Sequence, residues 1–220
     1  MNSETVNSAY DTIRNKKWLN TIVILTRFLI GFAFIPSGLK KIMGVRFTQL
    51  SISEPIGFFF EALYRSGIYW NFLGWAQLIA ALLLMTQRFA TLGAIFFFFI
   101  ISNIWMITLS LHFSGTWVIT SLMLLAVVML LAWDMHKLKY IVYPDRYNLS
   151  AMSFCYPTYN RTWVITGFIL FAWSITGFML IEKMGEPVKL FSRLWLAGIG
   201  LTVCIALYKN RSKNKKSSPA

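Results

Sequence analysis

The longest uncharged interval of this chain runs for 45 residues, from Phe89 to Trp133, without one Asp, Glu, Lys or Arg. A helix needs about 20 apolar residues to cross the ~30 Å hydrocarbon layer of a bilayer. The interval is therefore long enough for two spans, and the short polar stretch at 112–116 supplies a turn between them. It predicts two transmembrane helices with a tight turn at Gly115.

Composition extends this interpretation to the whole chain. Of the 220 residues, 57% are hydrophobic and only 13% are charged, whereas a soluble domain carries about 25% charged residues. We predict an all-α, polytopic membrane helix bundle with about six transmembrane helices and a short amphipathic helix at 55–64. The predicted spans are Trp18–Leu39, Ile68–Met85, Phe89–Leu111, Thr116–Trp133, Thr162–Ile181 and Leu190–Tyr208.

The predicted organisation divides the chain into a bundle, a hairpin and polar connections. We expect a tail over 1–17, a four-helix membrane bundle over 18–135, an interfacial loop over 136–161, a two-helix hairpin over 162–208 and a basic tail over 209–220. Six spans place both termini on one side of the membrane. That side collects 13 Lys and Arg residues against seven on the other, so the positive-inside rule predicts that both termini are cytoplasmic.

The positions of the Lys and Arg residues indicate whether the expected partner is nucleic acid or membrane lipid. The net charge is +13, but the basic residues lie in tails and loops beside apolar runs, with no separate basic domain. This distribution favours contact with anionic membrane lipids and excludes nucleic acid as the expected partner.

Motifs for catalysis and cofactor binding are not recognised in the sequence. Cys155 and Cys204 cannot form a CxxC pair, and His112 and His136 lie at opposite ends of one predicted span, too far apart to share a haem. We expect neither haem nor metal, and we recognise no phosphate loop or nucleophile elbow. The sequence favours a protein that is not an enzyme on its own.

Arg27 is the one formal charge near the middle of a predicted span, since Arg193 lies close to the start of the last one. Counted from Trp18, it lies roughly 13 Å along the helix, close to the midplane, where a guanidinium costs at least ~2.5–3.5 kcal/mol on insertion scales. The side chain either snorkels to the cytoplasmic face or faces a polar pocket between helices. Gly31 and Gly38 share its helical stripe and predict close packing against another helix.

Two amides lie at a comparable estimated depth. Gln77 shares a stripe of the second span with Gly74, a further close-packing position, and Asn103 lies in the third span. We predict that Arg27, Gln77 and Asn103 line one ligand-binding pocket, with Glu61 of the amphipathic segment as the nearest counter-ion. The alternative for both amides is a hydrogen bond across helices with no ligand.

Two short motifs stand out within about residues 19–135. They are Arg27-x-x-x-Gly31 through Gly38-x-Lys40, and Gly74-Trp75-Ala76-Gln77 with Leu82-Leu83-Leu84 and Arg88-Phe89-Ala90. Together they resemble the DoxX family of small membrane proteins. The resemblance implies a four-helix membrane bundle, found mostly in bacteria, whose relatives include the membrane subunit of thiosulfate:quinone oxidoreductase and accessory subunits of redox complexes. An acidic residue is common in that family at the position of Gln77, so the neutral amide here departs from the pattern.

Three functions follow as expectations. The first is a multi-pass protein of the bacterial inner membrane that assists a soluble or membrane redox subunit, with a quinone head near Arg27, Gln77 and Asn103. The second is a carrier, or a protein that handles a lipid or small anion in the same pocket. The third is a structural anchor whose tyrosine-rich loop, residues 134–161, docks a soluble partner.

Overall fold

A computed structural model describes residues 12–14, 16–142, 160–183 and 188–216 of the chain. The helices that carry the fold are α1 (Lys17–Ile42), α2 (Pro55–Arg65), α3 (Ile68–Met85), α4 (Ala90–Ser110), α5 (Thr116–Trp133), α6 (Met135–Val142), α7 (Arg161–Lys183) and α8 (Val188–Lys216).

Six of these helices, namely α1, α3, α4, α5, α7 and α8, are long and apolar enough to cross a membrane. This confirms the prediction of an all-α polytopic bundle with six spans. The amphipathic segment forms α2, which begins with Pro55 in its first turn, where proline is tolerated because that N–H has no intrahelical acceptor.

The first residues of the predicted interfacial loop at 136–161 are helical, because α6 continues the chain after α5. The segment MHKLKYIV is amphipathic when it is helical, with apolar and basic side chains on different faces. Such a pattern suits a short helix that lies along a surface. Residues 143–159 lie outside the described part of the chain, and with them most of the tyrosine-rich loop.

Helix α1 lies at the centre of the bundle. It makes its most extensive contact with α3 and also touches α5 and α7. A Cβ atom added to Gly74 would lie 2.7 Å from the carbonyl oxygen of Gly38, and one added to Gly31 would lie 2.5 Å from Cγ of Met85. The three glycines therefore sit at the α1–α3 contact, where two backbones approach as helices do in lipid.

The C-terminal hairpin packs on the four-helix unit. Helix α7 contacts both α1 and α3, and α8 covers α7. Trp173 and Trp195 each donate an indole N–H to the other's backbone carbonyl, at 3.3 and 3.1 Å. The ring of Trp163 lies 6.1 Å from that of Phe28, so the start of α7 is level with the first half of α1.

Large apolar side chains cover the outer surface of the bundle. Phe99 of α4, Leu122 and Leu125 of α5 and Leu201 of α8 are all exposed. A soluble monomer rarely shows extensive apolar patches of this kind, whereas acyl chains solvate them. The outward faces therefore support the multi-pass membrane assignment.

Candidate functional site

Two polar clusters lie at opposite ends of α1. We call the end near the α3–α4 turn and the end of α5 the inner end, because the count of basic residues predicts that it faces the cytoplasm. The opposite end, which carries α2, is called the outer end.

The inner cluster is a buried ion-pair network around Arg27 and Asp134. Arg27 Nη2 lies 2.9 Å from Asp134 Oδ2, and Arg27 Nη1 donates to Gln87 Oε1 at 3.0 Å. Thr91 donates its hydroxyl to Asp134 Oδ2 at 2.9 Å, and Lys137 Nζ lies 3.3 Å from Asp134 Oδ1. Arg27 and Asp134 are only 8% and 2% exposed, so the network supplies the compensation that a buried guanidinium requires.

Local structure explains why these side chains converge. Asp134 ends α5, and its neighbour three positions on, Lys137, returns to its carboxylate from the next helix. Gln87 has a positive φ of 60°, which is uncommon for a residue other than glycine. Its Nε2 donates to the carbonyl of Met85 at 3.3 Å, so this strained turn both caps α3 and presents Oε1 to Arg27.

The carboxyl of Asp134 is held in its charged form. Burial by itself raises the pKa of Asp134, but the positive charges of Arg27 and Lys137 and the hydrogen bond from Thr91 outweigh it and lower the pKa below its ordinary value. The pair is therefore charged at neutral pH, and each member depends on the other.

This geometry corrects the prediction that Arg27 meets Gln77 and Asn103 in one pocket. Helices α1 and α3 are antiparallel, and Ser37 lies opposite Gln77, with its hydroxyl donating to Oε1 at 3.3 Å. Arg27 precedes Ser37 by ten residues and Gln87 follows Gln77 by ten, so the same register brings Arg27 to Gln87. The sequence predicts that Arg27 and Gln77 lie at a comparable depth in the membrane, whereas the register separates them by ten residues along the helices.

Asn103 and Glu61 also lie away from Arg27. Asn103 is exposed, and its amide donates to the carbonyl of Phe99 in the preceding turn at 2.8 Å. Glu61 pairs with Arg46 at 3.0 Å and with Arg65 at 2.8 Å at the outer end. Neither contacts the guanidinium for which it was predicted.

His136 responds to the same inner-end charges. Burial, and to a lesser extent the positive charges of Arg14 and Lys137, lower the pKa of His136 to about 4, whereas an unfolded histidine takes up its proton near 6.5. Between those values the unfolded chain binds more protons than the folded one. Stability is therefore complete above about pH 6.5 and declines as the pH falls towards 4.

This predicts a falling unfolding midpoint in detergent between pH 7 and pH 5, measured by thermal scanning. His136→Asn should flatten the decline. His112→Asn is the matched control at the far end of α5, and its positive φ of 49° suits asparagine. A decline that persists unchanged in His136→Asn would contradict this assignment.

The outer cluster is built around the buried ammonium of Lys41. Lys41 Nζ donates to Oγ of Ser37 at 2.7 Å and to its carbonyl at 3.3 Å. The same nitrogen lies 4.9 Å from the ring centroid of Phe47 and 5.0 Å from that of Trp70. Lys41 is 7% exposed, and among the described residues no carboxylate pairs with it.

Two further N–H groups near Lys41 have no acceptor in the described part of the chain. The indole Nε1 of Trp70 is buried and has no hydrogen-bond partner within the part of the chain that the structure describes. Gln77 accepts from Ser37 through Oε1, while its Nε2 makes no hydrogen bond to a described residue. A buried donor without an acceptor costs about 1–3 kcal/mol, so Trp70 in particular marks a place for an incoming oxygen.

The register of α1 and α3 creates this cluster. Trp70, Gly74 and Gln77 follow one face of α3, and the close approach of Gly74 to Gly38 brings that face onto α1. Ser37 links Gln77 to Lys41, so the amide positions the ammonium rather than Arg27. The connection that follows α1 adds Phe47.

A cavity of about 270 Å³ lies next to this cluster. It is bounded by the segment at 46–52 and by Gly57, Phe60 and Glu61 of α2. Phe47 belongs both to the cavity wall and to the aromatic cage of Lys41.

Sequence reasoning missed Asp134, Gln87, Lys41 and Trp70 as site residues. Asp134 is the first residue of the predicted tyrosine-rich loop, but it is also the first acidic residue after the long uncharged interval and lies on the same predicted side as the start of α1. That opposite charge was the available signal. No comparable signal marked Trp70, since the other eight tryptophans of this chain are equally compatible with a lipid interface.

The outer cluster presents N–H donors and one ammonium group. These groups suit a ligand with carbonyl, carboxylate or phosphate oxygens. Across the described ranges, no group of three or more His, Cys, Asp and Glu side chains is arranged to hold a metal ion. Comparison of the chain with protein-family models, with curated proteins and with solved structures found no match.

Proposed function

We propose that this protein is a non-catalytic, DoxX-like subunit of the bacterial inner membrane that holds the oxygen-bearing head of a lipid-soluble molecule, a quinone first of all, at its outer cluster. In this role it assists a redox partner. The resemblance of the 19–135 segment to the DoxX family motivates the redox role. The single observation that supports the ligand is the buried N–H of Trp70, which has no acceptor among the described residues and lies beside the Lys41 ammonium.

The inner cluster is not the proposed ligand site. The guanidinium of Arg27 already binds Asp134 and Gln87 through both terminal nitrogens, so an incoming carbonyl would have to displace a charged partner. At the outer cluster Lys41 uses two N–H groups on Ser37, and an ammonium has three. A quinone carbonyl could therefore accept from Trp70 and Lys41 without breaking a bond.

The test is equilibrium binding of a short-chain quinone to the purified full-length protein in mild detergent. Trp70→Phe removes the N–H and keeps an aromatic ring, and it should weaken binding about 2- to 10-fold, as expected for one hydrogen bond. Lys41→Met should weaken it further. Trp75→Phe is the matched control, because Trp75 lies on the same helix and is exposed.

Equal affinities in Trp70→Phe, Trp75→Phe and the unaltered protein would remove Trp70 from the site. Quinone binding that is retained in Lys41→Met but lost in an Arg27→Leu variant that still shows a cooperative thermal unfolding transition would move the site to the inner cluster.

A second candidate function is the handling of an anionic lipid or small anion. The observation that favours it is the buried ammonium of Lys41, which lacks a carboxylate partner among the described residues. Titration with an alkyl phosphate in the same assay separates the two functions. Binding of the alkyl phosphate that Lys41→Met abolishes, with no quinone binding in any variant, would select the anion.

A further inference from the structure

A second groove lies at the inner end of the C-terminal hairpin, remote from both polar clusters. It encloses about 410 Å³ between α7 and α8. Two basic residues, Arg161 at the start of α7 and Lys209 near the end of α8, stand at its mouth. The rest of the wall is formed by Thr162, Thr166 and Thr202 and by the apolar side chains of Ile165, Ile169, Ile205 and Ala206.

The charges at the mouth have no partner among the described residues. Arg161 and Lys209 are exposed, and within the described ranges neither makes an ion pair or a side-chain hydrogen bond. The neighbouring asparagines, Asn160 and Asn210, instead bond to each other across the hairpin. That bond ties the two helix ends together and holds the two cations on the same edge.

The groove changes character along its length. Below the cations, the hydroxyl of Thr166 bonds back to the carbonyl of Thr162 at 2.8 Å, and that of Thr202 to Gly198 at 2.8 Å. Their donor hydrogens are thus used within the helices, while their oxygens still accept. Deeper in, Ile165, Ile169 and Ile205 present an apolar wall.

The position of the groove in the membrane agrees with this change from a charged mouth to an apolar wall. Trp163 packs on Phe28 and Gly167 packs against the backbone carbonyl of Met85, which places Arg161 at the same end as the Arg27 cluster. That end is predicted to be cytoplasmic, the leaflet in which anionic lipids attract basic residues. The apolar wall then extends towards the acyl chains.

We propose that this groove binds an anionic phospholipid, with the headgroup phosphate between Arg161 and Lys209 and an acyl chain along Ile165, Ile169 and Ile205. The charges are complementary: two cations that have no partner among the described residues lie above an apolar channel, and they match a phosphate above a hydrocarbon chain. A zwitterionic lipid would bring a positive group to the same place and is disfavoured.

Native mass spectrometry of the full-length protein tests this with phosphatidylglycerol against phosphatidylcholine. Phosphatidylglycerol should be retained preferentially, and Arg161→Gln and Lys209→Gln should each reduce that preference about 5-fold. The control variants are Lys183→Gln and Arg193→Gln, which remove exposed basic residues from the opposite end of the same two helices. All four positions are exposed, and equal thermal midpoints will show that the folds are intact.

Equal retention of the two lipids, or an equal loss in the control variants, would overturn the proposal. Competition with glycerol phosphate tests whether the groove binds a free anion or a lipid. A water-soluble phosphate that displaces phosphatidylglycerol at equal concentration would show a free-anion site with no contribution from the acyl wall, and would also overturn it.

Discussion

Asp134→Asn is expected to lower the free energy of unfolding by about 3–5 kcal/mol, the cost of breaking a buried ion pair by removing one partner. The substitution keeps the shape of the side chain but leaves the guanidinium of Arg27 with no carboxylate at 2.9 Å. Because Lys137 faces the same carboxylate at 3.3 Å, two positive charges lose their counter-ion. Unfolding by titration with a denaturing detergent in mixed micelles measures the change.

A double-mutant cycle separates the pair from its surroundings. Arg27→Gln should destabilise the protein alone, and Arg27→Gln with Asp134→Asn should recover part of the loss, with a coupling energy of about 0.5–3 kcal/mol. Glu61→Gln is the control, since its ion-pair partners Arg46 and Arg65 are 52% and 71% exposed and such pairs contribute little. Wild-type stability in Asp134→Asn would show that Arg27 does not depend on this pairing.

Gly74→Ala is the second substitution with a large expected effect. The added Cβ would lie 2.7 Å from the carbonyl oxygen of Gly38 and 2.9 Å from Cβ of Lys41. The first of these atoms is backbone, so α1 and α3 must separate to accept the methyl group. Overpacking of this kind costs about 1–3 kcal/mol, and helices in lipid associate largely through such packing.

Gly200→Ala is the matched control for that experiment. Gly200 lies in α8, and among the described residues a Cβ atom built there meets no atom outside its own stretch of helix within 4 Å. Since alanine forms helices better than glycine by up to about 1 kcal/mol, this variant should be neutral or slightly more stable. Equal behaviour of the two variants in the same detergent titration would contradict the close contact at Gly74. Gly74→Ala should also weaken the binding of any ligand held by Lys41 and Trp70, because both residues lie beside the contact between Gly74 and Gly38.

The quinone proposal at the outer cluster and the phospholipid proposal at the groove between α7 and α8 can be tested independently. Arg161 and Lys209 share no contact with Trp70 or Lys41, so loss of phosphatidylglycerol leaves the quinone proposal intact, and the reverse holds. The Arg27–Asp134 pair is expected to act on stability alone.

Local composition was sufficient to predict the spans. The predicted ranges Ile68–Met85 and Thr116–Trp133 coincide with α3 and α5, because the length of apolar sequence that crosses a bilayer is a property of the segment itself. The helical stripe through Arg27, Gly31 and Gly38 is likewise buried, since positions on one face follow from the helical period.

The pairing of polar groups was decided only by tertiary structure. Arg27 and Asp134 are 107 positions apart in sequence, and no local pattern sets which end of one helix lies beside which end of another. That register comes from the fit of Gly38 against Gly74, a steric contact between two backbones. It takes Arg27 away from Gln77, brings it to Gln87 and Asp134, and leaves Gln77 beside Lys41. The sequence alone therefore determined how many helices cross the membrane and which faces they bury, while the packing of two glycines determined where charge and hydrogen-bonding groups meet.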